Sequence, residues 1–353
     1  MKKLTTLLAS MLLFATAARA DYTMVIPKEP GGGTAVWAAI VAKELQKYLD
    51  EPIELRHIPG QRDTLGFNKF HNELQHNPKT IMVSSGTNSV AFLSEDNTEF
   101  DFREYDAVGI MNLTILIGAK TNMGDVVKFP AGGGGHTPDA MAIAMLVCGP
   151  NKTTQEYISC FKERVVYVKG YKSQNEFRMA YKRDELNAIR ENPAAWKKNI
   201  DPEVAEGKSQ LWFHHGLLDD KTGNQVDDPN YPGKQFEDVF KAKWGVAPSG
   251  DFYQAYKLVK SFRDGLQKAI WIKKGSPDRA KIMAALEQVA TNPESIAAIQ
   301  KNVGKYGWLI GDAANKHRDA VLRLVTLKEL TTLNEFVTQG LGVHGEVKKN
   351  LVK

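Results

Sequence analysis

Three short turns rich in glycine or serine, each between an apolar run and a helical pattern, constrain this chain more than any other feature. They are Pro30-Gly31-Gly32-Gly33-Thr34, Ser84-Ser85-Gly86-Thr87 and Ala131-Gly132-Gly133-Gly134-Gly135-His136-Thr137. The first follows a strand predicted over Tyr22–Ile26 and opens a helix running to about Leu49, with Thr34 as its cap. Val36, Trp37, Ile40, Val41, Leu45 and Leu49 recur there at helical spacing. The second turn follows a strand over Thr80–Val83, itself preceded by one over Ile53–Ile58. Such β-loop-α alternation favours a parallel sheet with helices on both faces.

A second unit repeats the order. The nearly continuous apolar run Ile110–Ala119 suits a strand crossing between two lobes. Strands are predicted over Val126–Phe129, Arg164–Val168 and Leu186–Ile189, and a helix over Pro138–Val147. Lys208–His214 is placed as the strand crossing back. The remainder reads as helices over Phe252–Ile272, Pro277–Thr291, Pro293–Tyr306 and His317–Gly340. The expected partition is residues 21–119 plus 230–353 in lobe 1 and 120–229 in lobe 2.

The N-terminus carries an export pattern. Met1-Lys2-Lys3 is positive, Leu4–Ala17 is apolar but short for a span, and Ala18-Arg19-Ala20 fits a small-x-small cleavage site. The competing reading is a membrane anchor. No Cys follows that would take a lipid, so the expectation is a soluble periplasmic protein cut after Ala20. Cleavage would leave 333 residues, enough for about two domains. It would also remove Lys2, Lys3 and Arg19, leaving 43 basic against 41 acidic residues, which gives a nucleic-acid role no electrostatic support. Two cysteines remain, Cys148 and Cys160, and in an oxidising compartment they are expected to pair. A redox or metal role would call for CxxC spacing or neighbouring histidines.

The three turns favour anions. First-turn N–H groups point outward, the helix dipole adds positive potential, and glycines let a ligand approach. None of the turns reads GxGxxG with an acidic residue about 20 positions on, and neither GxxxxGK[ST] nor GxSxG occurs.

The ordered set resembles the periplasmic substrate receptors of tripartite tricarboxylate transporters. Pro30-Gly31-Gly32-Gly33-Thr34 matches the family's opening turn, Pro59-Gly60 the turn after the second strand, and Ser85-Gly86-Thr87 its Ser/Thr-Gly turn. Ala131–His136 is similar to the second lobe's turn, Val168-Lys169-Gly170-Tyr171-Lys172 to an altered Val-Pro-Tyr-Lys-Gly segment, and Glu191-Asn192-Pro193-Ala194-Ala195 to its Asn-Pro stretch. Lys273-Lys274-Gly275-Ser276-Pro277 resembles its glycine-threonine-proline helix start.

The resemblance implies a two-lobed α/β periplasmic-binding-protein-like fold, each lobe a mostly parallel sheet flanked by helices. It implies a non-enzymatic receptor that closes on a small di- or tricarboxylate and delivers it to integral-membrane permease subunits, as a monomer without cofactor or metal. Carried over by position, the ligand contacts are Gly32, Gly33, Thr34, Ser85, Gly86 and Thr87 in lobe 1, and Gly134, Gly135, His136 and Thr137 in lobe 2.

Two departures bear on the ligand. The family's aspartate after the first threonine is Ala35 here, and its aspartate before the Asn-Pro region aligns with Arg190. Arg190 either binds a ligand carboxylate bidentately or faces solvent or a protein carboxylate such as Glu191. The rival class is an exported hydrolase or transferase with the turns as an oxyanion site. On paper Ser84 or Ser85, His136 and Asp139 make a triad for it. Other rivals are a receptor for an ATP-driven or ion-driven permease, or for a protein partner. His214-His215 beside Asp219 and Asp220 could suggest a metal, but adjacent strand residues face opposite ways. Asp219–Asp228 lacks calcium-loop order and reads as a polar hairpin. Trp37, Trp212 and Trp308 read as packing residues.

Overall fold

A computed structural model of the protein describes residues 21–353 except 95–97, 133, 172, 220, 221, 223, 344–347, 349, 350 and 353. The leader expected over 1–20 lies outside the described residues, as does Asp220. The strands are β1 Tyr22–Ile26, β2 Ile53–His57, β3 Thr80–Val83, β4 Tyr105–Met111, β5 Leu116–Lys120, β6 Val127–Pro130 and β7 Val165–Val168. They continue with β8 Ala188–Glu191, β9 Ser209–His214, β10 Leu217–Leu218, β11 Gln225–Val226, β12 Ala269–Lys273 and β13 Trp308–Ile310.

Six of them form one sheet in the order β13-β4-β12-β3-β1-β2. β1 lies parallel to β2 and to β3, with Met24 opposite both Leu55 and Ile81. Its continuous apolar sequence follows from cover on both faces. The pleat sends Met24 and Ile26 into the cluster containing Trp37 and Val41, and Val25 into the one containing Phe67 and Phe262.

The second sheet has the order β8-β5-β9, all antiparallel, with Ile117 opposite Arg190 on one side and Phe213 on the other. β6 and β7 form a separate parallel pair. The two-lobed α/β class stands, but the sheets are mixed and not mostly parallel. β12 runs antiparallel to both β3 and β4 because it arrives from a long C-terminal helix, without a βαβ crossover to set its direction.

Other differences have local causes. The run Ile110–Ala119 does cross between sheets, but as two strands, β4 ending at Met111 and β5 starting at Leu116. The helix expected over Phe252–Ile272 spans Asp251–Leu266, and Ala269–Ile272 is instead the buried core of β12. Four consecutive apolar residues fit a strand covered on both faces as well as a helix, and pairing on both edges decides for the strand. The pattern over His317–Gly340 breaks into helices Asp312–Leu322 and Leu327–Glu335, because the Thr326 side chain caps the second through Glu329 N. Thr34 lies inside its helix, Gly33–Leu49, and the capping position falls to Gly32.

Helix Asp251–Leu266 packs on helix Gly86–Ala91 below the first sheet and on helix Thr137–Cys148 beside the second, so one apolar cluster runs through both lobes. Cys148, ending that helix, is disulfide-bonded to Cys160 of helix Thr154–Arg164. A loop of this length gives about 3 kcal/mol in the chain-entropy model. Asp219–Asp228 spans the β10–β11 hairpin, and buried Asp228 accepts from Tyr306 at 2.6 Å. No helix among the described residues is long and apolar enough to cross a membrane.

Candidate functional site

A cleft of about 650 Å³ opens where the three turns converge. The first wall is the Gly-rich turn before helix Gly33–Leu49. Gly31 holds φ at +84°, which a side chain resists, and Gly32 caps the helix with extended backbone and no side-chain bond. The first turn contains no acidic residue, so its free N–H groups and positive dipole end are uncompensated by the chain.

The second turn is more fully occupied. Ser85 donates to Asp63 Oδ2 at 2.7 Å and accepts from Asn88 N at 3.2 Å, closing a capping box. Asp63 sits at φ +66° and also pairs with Lys28 at 2.6 Å. Thr87 Oγ1 lies 3.5 Å from Lys28 Nζ. Gly86 is required by close packing, since a Cβ there would fall 2.8 Å from Arg263 Cγ.

The opposite wall comes from Ala131, Gly132, Gly135 and His136, from Tyr171 and the helix start beyond Ser173, and from Arg190–Asn192 at the end of β8. Gly134–His136 forms a short 3-10 turn, and Gly135 and His136 line the cleft. Thr137 is buried behind them at the start of its helix. His136 donates from Nδ1 to the Pro130 carbonyl at 3.0 Å, and its ring packs between Phe129 and Phe177. Burial, the largest cause, together with Arg190 pushes its pKa down to about 3, so it is neutral and Nε2 is an acceptor. The ring sits so tightly on Gly132 that a Cβ there would fall 2.1 Å from Nε2.

Beneath this wall lies Asp139, wholly buried in the first turn of helix Thr137–Cys148. It accepts from Arg263 Nη1 and, at 2.8 Å, from His215 Nε2, and Arg190 Nε lies 3.1 Å away. Burial alone would raise its pKa, but the two guanidinium groups hold it well below the ordinary carboxylate range. Burial pushes His215 down to about 4, so the contact with Asp139 is a neutral-histidine hydrogen bond, and Tyr256 donates to its Nδ1 at 2.8 Å. Its neighbour His214 faces the other way, toward Asp227 and the Tyr231 carbonyl.

The paper triad does not assemble. Ser84 donates to the Leu266 carbonyl, Ser85 to Asp63, His136 to Pro130, and Asp139 is held by arginines.

Arg190 does line the cleft. Its approach to Asp139 is through Nε, off line for a hydrogen bond, and its terminal nitrogens make none among the described residues. Glu191 beside it is taken by Arg178 in a bidentate pair of 2.5 and 3.0 Å. Across the cleft sits a residue absent from the sequence reading. Lys268, in the turn between helix Asp251–Leu266 and β12, is 4% exposed and donates to Thr34 Oγ1 at 2.8 Å. The polar doublet Gln267-Lys268 interrupting an apolar run was its only signal. The walls meet where a Cβ on Gly33 would fall 2.3 Å from Asn192 Nδ2.

No family model matches the chain, and no curated protein matches it in sequence. Solved structures do match. MatC from Rhodopseudomonas palustris with bound malate superposes with a TM-score of 0.53 at 14% identity, over 89% of this chain and 98% of that one. The periplasmic binding protein BugD gives 0.56 at 15%, over 91% and 97%. An R. palustris protein with adipate gives 0.56 at 11%, over 89% and 97%. The fold is that of a two-lobed periplasmic binding protein. The two-lobed α/β architecture expected from the sequence thus stands over 89–91% of the chain, with mixed sheets in place of mostly parallel ones, and the cleft lies where the three turns converge.

Proposed function

We propose that this chain is an exported receptor of the tripartite tricarboxylate transporter kind, capturing a small di- or tricarboxylate and delivering it to a membrane permease. The observation that carries the reading is the pairing of an uncapped helix N-terminus at Gly32–Thr34 with the unengaged terminal nitrogens of Arg190 across one cleft. A carboxylate suits both ends: N–H groups and helix dipole at one, a planar bidentate donor at the other. Bound malate and adipate in two structurally similar proteins support the ligand class.

In this reading Gly32, Gly33, Thr34, Ser85, Gly86 and Thr87 form the first wall, and Gly134, Gly135, His136, Thr137 and Arg190 the second. Neutral His136 accepts from a ligand hydroxyl or bridging water. The lobes are residues 21–119 with 230–353, and 120–229; β5 straddles this boundary, ending the first range in sequence while hydrogen-bonding into the sheet of the second. The protein acts as a monomer without catalysis, cleaved after Ala20, and the permease reads the closed form. Ligand shifts the open–closed balance by its difference in affinity for the two forms.

The test is the melting temperature of the chain from residue 21, stripped of ligand by refolding, against mono-, di- and tricarboxylates with sulfate and phosphate controls. A ligand at 100 times its Kd stabilises by about 2.7 kcal/mol. A shift with one carboxylate, recovered unchanged, supports the reading. No shift across the panel, or consumption of a hit, overturns it.

A further inference from the structure

Every buried carboxylate at the cleft already has a cation. Asp63 has Lys28, Glu191 has Arg178, Asp264 has Arg263, and Asp139 has Arg263 and Arg190. Glu29 lies at the rim and is exposed. Among the described residues one cation at the cleft is left over. Lys268 lines the cleft and is buried, and its ammonium has as its only hydrogen-bond partner among the described residues the neutral hydroxyl of Thr34, with the Trp37 ring 5.9 Å away. Burying an ammonium without a paired carboxylate is costly, and no carboxylate among the described residues forms an ion pair with this one.

We propose that Lys268 is the cation that receives a ligand carboxylate in the first lobe, so that the ligand completes an ion pair that the protein leaves half-built. The inference rests on the carboxylate-receptor reading and adds the residue and its consequence for pH. The charged groups facing Lys268 are Lys28 from the segment after β1, Asp63 from the 3-10 turn, and Arg190 from β8. Burial first, then Lys28 and Arg190, lower its pKa to about 7 against the opposing pull of Asp63. An arriving carboxylate reverses this, so binding above pH 7 draws a proton from solvent onto Lys268 Nζ. Carboxylates are already ionised in that range, and buried His136 stays neutral throughout it.

The experiment is calorimetric titration of the ligand-free chain with malate and with adipate from pH 6.5 to 8.5, in buffers of different ionisation enthalpy. With a free-protein pKa of about 7, affinity should fall about twenty-five-fold between those limits, and proton uptake should rise from about a quarter to about one per ligand. Lys268→Met should lose at least tenfold in affinity at pH 6.5 and flatten the pH profile. Lys268→Gln gives the same readout should the methionine variant fail to fold.

Lys260, buried away from the cleft and pushed down to about 8, is the control, and Lys260→Met should keep the slope. A wild-type affinity that is flat with pH, a Lys268→Met variant within twofold of wild type, or a slope lost only in Lys260→Met overturns the assignment and leaves the receptor reading intact. If neither dicarboxylate binds wild type at any pH, the assignment falls together with its carboxylate premise.

Discussion

Replacing Lys268 by methionine should make the ligand-free protein more stable, by an amount that fades as pH rises. In the unfolded chain this lysine titrates near its ordinary 10.5, while in the fold burial brings it to about 7. Between those values the unfolded state binds more protons, so the wild-type lysine destabilises the fold fully below pH 7 and progressively less up to 10.5. The separation amounts to about 4 kcal/mol at pH 7 and about 2 at pH 9. The substitution also forfeits the bond to Thr34 Oγ1, which is worth about 1 kcal/mol. The net gain is then about 3 kcal/mol at pH 7 and about 1 at pH 9, or roughly 4 °C and 1 °C in melting temperature for a chain of this size. Lys260 titrates in the same window in both proteins and cancels in the difference. The assay is thermal melting of both proteins, stripped of ligand, at pH 7, 8 and 9. A difference that does not change with pH, or a variant less stable at pH 7, refutes the claim that a buried ammonium goes unpaired at this cleft.

Arg190→Ala should weaken dicarboxylate binding at least tenfold by isothermal titration, while Asp139 keeps Arg263 and His215 as partners and the fold survives; an affinity within twofold of wild type refutes a ligand role for the guanidinium. Gly33→Ala places a methyl 2.3 Å from Asn192 Nδ2 and forces the walls apart. Its affinity should fall at least fivefold, with partial recovery in Gly33→Ala/Asn192→Ala, and an unaltered affinity in the single variant would mean the walls need not approach this closely.

The elements best read from sequence are those whose pattern is local. Tyr22–Ile26, Thr80–Val83 and the helix to Leu49 follow from apolar period and glycine punctuation, which act over a few residues. β12 was illegible for the opposite reason. Ala269-Ile270-Trp271-Ile272 continues a helical apolar run, and only β3 and β4, far away in sequence, make it a strand. Much the same holds for the site. The turns announce themselves through composition, whereas the pairing of Glu191 with Arg178, and not with Arg190, is a tertiary choice. Lys268 carried no motif at all, because what distinguishes it is the absence of a paired carboxylate.

That absence connects two departures noted in the sequence. The aspartate that the resemblance in sequence leads one to expect after Thr34 would place a carboxylate in the first turn of helix Gly33–Leu49, next to the residue that Lys268 touches. Alanine stands there instead, buried and uncharged. On the far wall an expected aspartate is Arg190. Both changes move the cleft toward positive charge, and together with Lys268 they leave it with more cation than its own carboxylates neutralise. A cleft so arranged discriminates by charge as well as by shape, since a neutral solute would leave Lys268 buried and unpaired while a carboxylate relieves it. Under the proposed assignment, part of the cost that Lys268 imposes on the empty protein is recovered when a ligand carboxylate binds, less the desolvation of that carboxylate.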